Sequence, residues 1–321
     1  MSVPLPPNPA DLVRPDSGAG YGGPHTGSGR GGADAGAGCG GPEAGAGRGG
    51  PEAGAGRGGA DARAGRGADA GAGRGGLARN RITAAASIVA VPGPGGVTRL
   101  PVLSSQVPLV LRRTPDAVYV VGGAAGPIGG DELSLRITVG AEAFLRVRTA
   151  AASIALPGPD GLESVLRVTA EVEDGGRLEY LPEPVVVSAG ARHATIIMVT
   201  LAEGASLLLR DELLLGRDGE DGGAARSVLR VDYAGRPLLR QALEVSGADP
   251  VCLGPAVLAG HRAVGNLLRV DPVTDHDAGP HVVPVARADL ELAVMPLAGP
   301  GLLITALAHD AVTLRRRLER P

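Results

Sequence analysis

The sequence has no lysine and no tryptophan, a single phenylalanine and only two cysteines. Cys39 and Cys252 stand far apart and make neither a disulfide framework nor a thiolate metal site. Aromatic residues at 2% leave few platforms for stacking bases, and a formal net charge of −3 gives no basic footprint for nucleic acid. Long apolar runs are missing too. The stretch Ala84 to Val91 falls far short of the ~20 residues that span a bilayer. The first residues show no basic region followed by an apolar one, so no signal peptide is expected and the cytoplasm is the expected location. No G-x-S-x-G surrounds Ser153, Ser188 or Ser206, which excludes a nucleophile elbow. No H-x-H pair of the cupin kind occurs, and the glycines near Gly122 do not open a helix, so a dinucleotide fingerprint fails.

What is present divides into two parts. Residues 1–77 are dominated by Gly, Ala, Pro and Arg and cannot bury enough apolar surface to offset the entropy of ordering them. Within them a nine-residue unit repeats: GGADAGAGC from Gly31, GGPEAGAGR from Gly40 and again from Gly49, GGADARAGR from Gly58, then a shortened copy from Gly67. Collagen needs glycine at every third position, and a calcium-binding β-roll needs a large apolar residue in each repeat. Neither condition is met, so a disordered low-complexity tail is expected. All 31 basic residues of the chain are arginine, which with the heavy Gly, Ala and Pro use marks a GC-rich coding bias.

Residues 78–321 are rich in Val, Leu and Ile, enough for one ordinary core. The stretch Gly122 to Thr149 sets their pattern. Leu133, Leu135, Ile137 and Val139 alternate with Ser134, Arg136 and Thr138, the period of a half-buried strand. A turn at Val139-Gly140-Ala141 follows, and then Ala143, Leu145 and Val147 alternate again. Strand, short Gly/Ala turn, strand recurs along Val165 to Tyr180 and Thr195 to Leu209, with spacing too short for intervening helices. The expected fold is a single mainly-β domain with a few short helices. Ala256 to Leu268 reads as a short helix or a strand pair, with Gly260 and Gly265 weakening the helix. A terminal helix is expected after Asp310, with Ala311, Leu314 and Leu318 on one face and Arg315 to Arg317 near its end.

The candidate chemistry is sparse. Asp131, in Gly129-Gly130-Asp131, is placed either to meet a metal or partner or to hold its own turn. Asp275, His276, Asp277 and His281 combine carboxylate and imidazole, the donors that suit Ni²⁺, Zn²⁺ or Fe²⁺, but on a Gly/Pro-containing loop without rigid spacing. Cys252, near His261, reads as either a soft ligand or a structural thiol. His193 and His309 stand alone in the sequence and read as structural or surface residues.

The stretch from Gly122 to Ser153, GGAAGPIGGDELSLRITVGAEAFLRVRTAAAS, resembles the signature region of the urease accessory protein UreD (UreH) family. Further similar pieces follow in order: LEYLPEP from Leu178 to Pro184, Gly204-Ala205-Ser206-Leu207, Leu215-Gly216-Arg217 with Gly219-Glu220, and Arg236-Pro237-Leu238-Leu239. The chain departs from the family's pattern at Ala150 to Ser153 and in its scarcity of aromatics. The resemblance covers about residues 80–321 and implies stacked, helical β layers. It implies a non-enzymatic partner of UreF, the GTPase UreG and apo-urease that helps deliver nickel. No tightly bound cofactor is implied; nickel is cargo in transit through the interior. By the same resemblance Asp131, Glu183 and Glu220 become candidates for that path or for an interface. A β-scaffold adaptor unrelated to urease, or a metal-dependent β-fold enzyme using Asp275 to His281, are the other readings. Removing residues 1–76 is expected to leave the melting temperature of the remaining chain unchanged; a large fall on truncation would contradict the division into two parts.

Overall fold

A computed structural model describes residues 81–272 and 291–319 of the chain. The repeats and Cys39, and the Asp275 to His281 cluster, lie outside the described residues. In chain order the strands are β1 (Thr83–Pro92), β2 (Thr98–Ser105), β3 (Leu109–Arg113), β4 (Val118–Gly122), β5 (Glu132–Val139), β6 (Phe144–Thr149), β7 (Ser153–Ala155) and β8 (Glu163–Val172). There follow β9 (Arg177–Leu181), β10 (Val185–Val187), β11 (Arg192–Leu201), β12 (Ser206–Leu215), β13 (Ala224–Tyr233) and β14 (Arg236–Ser246). The last three are β15 (Ala263–Val270), β16 (Leu292–Pro296) and β17 (Gly301–Ala308). A four-residue helix, Pro250–Leu253, and a C-terminal helix, Ala311–Glu319, are the α-helices among the described residues.

The strands form two sheets. The first runs β14-β13-β11-β8-β5-β1-β2; the second runs β16-β17-β15-β12-β9-β6-β4-β3, with β10 beside β12 and β7 beside β10. The short turns do not fold the chain back on itself within a sheet. The turn after Val139 carries the chain from β5 in the first sheet to β6 in the second. The chain then returns and lays β8 parallel to β5, and repeats the circuit through β9, β11, β12 and β13. Parallel strands normally need a helical crossover. Here a strand of the opposite sheet supplies it, which is why the inter-strand gaps are too short for helices.

Successive circuits stack in register. On the inner face of the first sheet Ile88, Ile137, Ala170, Val199 and Val231 are neighbours across five strands. On the second sheet Val118, Val147, Tyr180, Leu209, Leu268 and Leu303 do the same. Every one of these residues is buried, and they belong to one core lying between the sheets. The period-2 alternation read in the sequence therefore becomes columns of apolar side chains running along the stack.

The corners stack as well. Gly140, Glu173, Ala202 and Ala234 each donate their amide to the preceding circuit, to Ala90, Val139, Val172 and Leu201 at 2.8–2.9 Å. In three of these corners the third residue takes a left-handed conformation: Glu142 (φ 60°), Gly175 (φ 64°) and Gly204 (φ 83°). A non-glycine residue is strained there. A side chain at Gly204 would also meet the carboxylate of Asp174 at 2.2 Å.

The segment from Ala256 resolves into turns followed by β15, with no helix. Gly265 lies inside that strand, and its value is space. A Cβ at Gly265 would lie 3.0 Å from Leu318 and 3.1 Å from Leu314, the two fully buried residues of the C-terminal helix. The missing side chain is the notch that admits the helix onto β15 and β17. Asp310 caps the helix through Thr313, accepting from its amide at 2.8 Å and from its hydroxyl at 2.7 Å. Those two bonds hold the Asp310 carboxyl below its ordinary range.

Glu142→Gly is expected to raise stability by about 0.5–1 kcal/mol by relieving the left-handed corner. Gly204→Val is expected to lower it by several times that amount, from strain and the clash with Asp174. Urea unfolding midpoints of the two variants check both signs.

Candidate functional site

Strand β12 reads Leu207-Leu208-Leu209-Arg210-Asp211-Glu212-Leu213-Leu214-Leu215, and its three charged residues are all buried. Alternation sends them to opposite faces. Arg210 and Glu212 face out toward the C-terminal helix. Asp211 shares the inward phase of Leu207, Leu209, Leu213 and Leu215, and so lies between the sheets. There its Oδ2 accepts a 2.5 Å hydrogen bond from the Ser227 hydroxyl of β13, which belongs to the opposite sheet. Burial pushes the Asp211 carboxyl up, against the pull of the Ser227 hydroxyl.

Asp211 is one member of a polar seam built from hydrogen-bonded groups that are register neighbours of one another. Ser164 of β8 lies 2.9 Å from Nδ1 of His193, and Thr195 lies 3.3 Å from Nε2 of the same ring. Thr195 is the register partner of Ser227. On the other side of Asp211 its register partner is Asn266, whose Oδ1 accepts from Thr305 at 2.7 Å and from Gln241 at 3.2 Å. Hydroxyl, imidazole, carboxylate and carboxamide thus follow one another through the interior. The seam runs where the core divides, between the large cluster containing Leu209 and Leu229 and a smaller one containing Leu213, Leu215 and Ala225.

Both ends of the seam open into cavities. One, of about 560 Å³, is walled by Leu109, Val120, Leu133 and Leu166, with His193 and Arg217 as its ionisable groups. The other, of about 390 Å³, contains Gln241, Asn266 and Thr305 beside Leu258, Leu307 and Glu291. Burial lowers the His193 pKa to about 4, so the ring is neutral at physiological pH, with one nitrogen donating and the other accepting in its bonds with Ser164 and Thr195.

The residues singled out in the sequence are distributed around this seam. Asp131 is buried; its Oδ1 accepts from the Ile82 amide and its Oδ2 from the Ile128 amide, each at 2.9 Å. It ties the start of β1 to the Gly126–Asp131 loop. Glu183 faces outward, and Nη1 of Arg315 on the C-terminal helix donates to both of its carboxylate oxygens, at 3.0 and 3.1 Å. Arg315 also bonds Glu212 at 2.5 Å, and Arg210 reaches Glu212, Glu183 and Glu319 at 3.2–3.6 Å. These charges fasten the helix to the outside of the second sheet. Glu220 pairs with Arg217 at 2.8 and 2.9 Å, so it joins the first cavity through that guanidinium. The bonds from Arg217 bring the Glu220 pKa down to about 2. Cys252 directs its thiol to Asp249 at 3.6 Å.

His309 does not stand alone: its ring stacks on His261 at 4.5 Å, and His261 Nε2 meets Glu291 at 3.0 Å. His193 is likewise a central member of the seam. Among the described residues no group of three or more His, Cys, Asp or Glu is arranged to hold a metal ion. No helix among them is long and apolar enough to cross a membrane. Sequence reading missed Ser164, Thr195, Asp211, Ser227 and Asn266. The usable signal was a polar residue on the inward phase of an otherwise apolar strand, clearest at Asp211.

The fold and site together define a stacked β scaffold whose apolar core is crossed by a polar seam. Residues 83–320 match the family model described as UreD urease accessory protein. A "Urease accessory protein UreD" of Frankia alni is 45% identical over 279 residues, spanning 75% of this chain and 92% of the relative. One of Parafrankia is 43% identical over 266 residues, spanning 75% and 88%. "Urease accessory protein UreD 3" of Streptomyces griseus is 44% identical over 247 residues, spanning 74% and 95%. The chain belongs to the UreD family of urease accessory proteins.

The unfolded chain protonates its histidine near pH 6.5, whereas folded His193 does so only near pH 4. Acidification through that window favours the unfolded state, by up to about 3 kcal/mol at its lower end. His193→Gln is expected to flatten the fall in melting temperature between pH 6.5 and 4, measured against wild type across that range.

Proposed function

We propose that this chain is a non-catalytic scaffold that acts in the cytoplasm with UreF and UreG on apo-urease and assists nickel insertion into it. The observation that carries this reading is the polar seam joining two cavities in a member of a urease accessory family. Nickel is the cargo. Imidazole, carboxylate, hydroxyl and carboxamide are donors of borderline to hard character, and single ones in sequence bind weakly enough to release. Neutral His193 and Asp211 are the strongest donors along the route. Glu220 with Arg217 conditions one mouth, while Asp131 and Glu183 act by fixing the walls.

The test is co-expression of urease structural and accessory genes with and without this one. Loss of urease activity and of bound nickel on deletion is expected; unchanged values would sink the proposal. An Asp211→Leu, His193→Leu double variant is expected to keep co-purifying with its partners yet reduce urease nickel content several-fold.

A further inference from the structure

The outer face of the first sheet has no use in the route just described. Its central rows are fixed by register. Arg167, Ile196 and Val228 are neighbours on β8, β11 and β13; one row along, Arg136 of β5 is followed by Thr169, Met198 and then Arg230 of β13. Arg136, Arg167 and Arg230 are exposed, and Ile196, Met198 and Val228 between them are half-buried. Among the described residues no helix or strand packs over this face.

The charges there are unbalanced locally. Nearby Arg226 pairs with Glu163 and Arg240 with Asp232, so those arginines are neutralised within the sheet. None of Arg136, Arg167 and Arg230 is in an ion pair among the described residues. The two central rows contain no acidic residue, while exposed Glu132 and Glu171 lie on the rows to either side. Parallel sheets are ordinarily covered on both faces. An apolar centre that includes methionine, bordered by arginine, also has the residue types enriched at protein interfaces.

We propose that this face is a docking surface for a folded protein with an acidic patch around an apolar centre. The marginal glutamates would repel a nucleic-acid backbone, and they orient a partner whose own charge is patterned. The inference rests on the proposed role in urease assembly, within which that partner is apo-urease, alone or already carrying the other accessory proteins.

The experiment measures binding of the full-length chain to purified cognate apo-urease, with the accessory proteins present, at 0.1 M and 0.5 M salt. Arg136→Glu, Arg167→Glu, Arg230→Glu together are expected to weaken binding at least tenfold at the lower salt. The corresponding triple Gln variant, which removes charge without reversing it, is expected to show a smaller loss and a flatter salt dependence. Melting curves matching wild type confirm that the fold persists. Wild-type binding with unchanged affinity in both variants would overturn this inference and leave the proposed function standing. No binding by wild type would overturn both. Concentration-dependent self-association abolished by the same substitutions would assign the face to a second copy and also overturn it.

Discussion

Register between circuits is the constraint on which the rest of this molecule depends. Each strand of the parallel core bonds to the strand one circuit before it, and each corner hands an amide to the corner beneath. A slip of one residue at any level would turn every inward side chain of that strand outward. The columns headed by Ile88 and Val118 prevent this, since both faces of the cavity between the sheets are filled by side chains of one phase. Stability is then carried largely by contacts between neighbouring circuits, as in other stacked repeats.

Against that background the buried charges fall into two kinds. Arg210, Glu212, Glu183 and Arg315 face outward and neutralise one another beneath the C-terminal helix. Their cost of desolvation is offset by mutual attraction and by bidentate geometry. Asp211 faces inward and has one hydroxyl partner instead of a cation. Two adjacent residues of one strand thus occupy opposite electrostatic situations, decided only by the parity of their positions.

Much of this was legible in the sequence. Alternation exposed β5, β6, β8 and β11, and the Asp310 cap with its Leu314 and Leu318 face exposed the last helix. What alternation cannot report is which strand lies beside which. The turn after Val139 reads the same whether it closes a hairpin or passes between sheets, and only long-range register distinguishes them. The seam was obscured for the same reason. Ser164, His193, Thr195, Ser227 and Asp211 lie on four strands and become neighbours only after three circuits are stacked. Glu220 was found through family likeness, and its link to the first cavity depends on Arg217. Gly265 was read correctly as weakening a helix, but its packing role was not legible, because that depends on the helix seated on it, 49 residues further along at Leu314.

The arrangement of backbone hydrogen bonds has a mechanical consequence. In both sheets they run along the stack, from circuit to circuit, and almost none crosses from one sheet to the other. The seam lies in the plane that they do not cross. Parting the walls there would exchange side-chain contacts such as the one between Ser227 and Asp211 while leaving every ladder intact. Such breathing of side chains operates at an energetic scale far below that of unfolding.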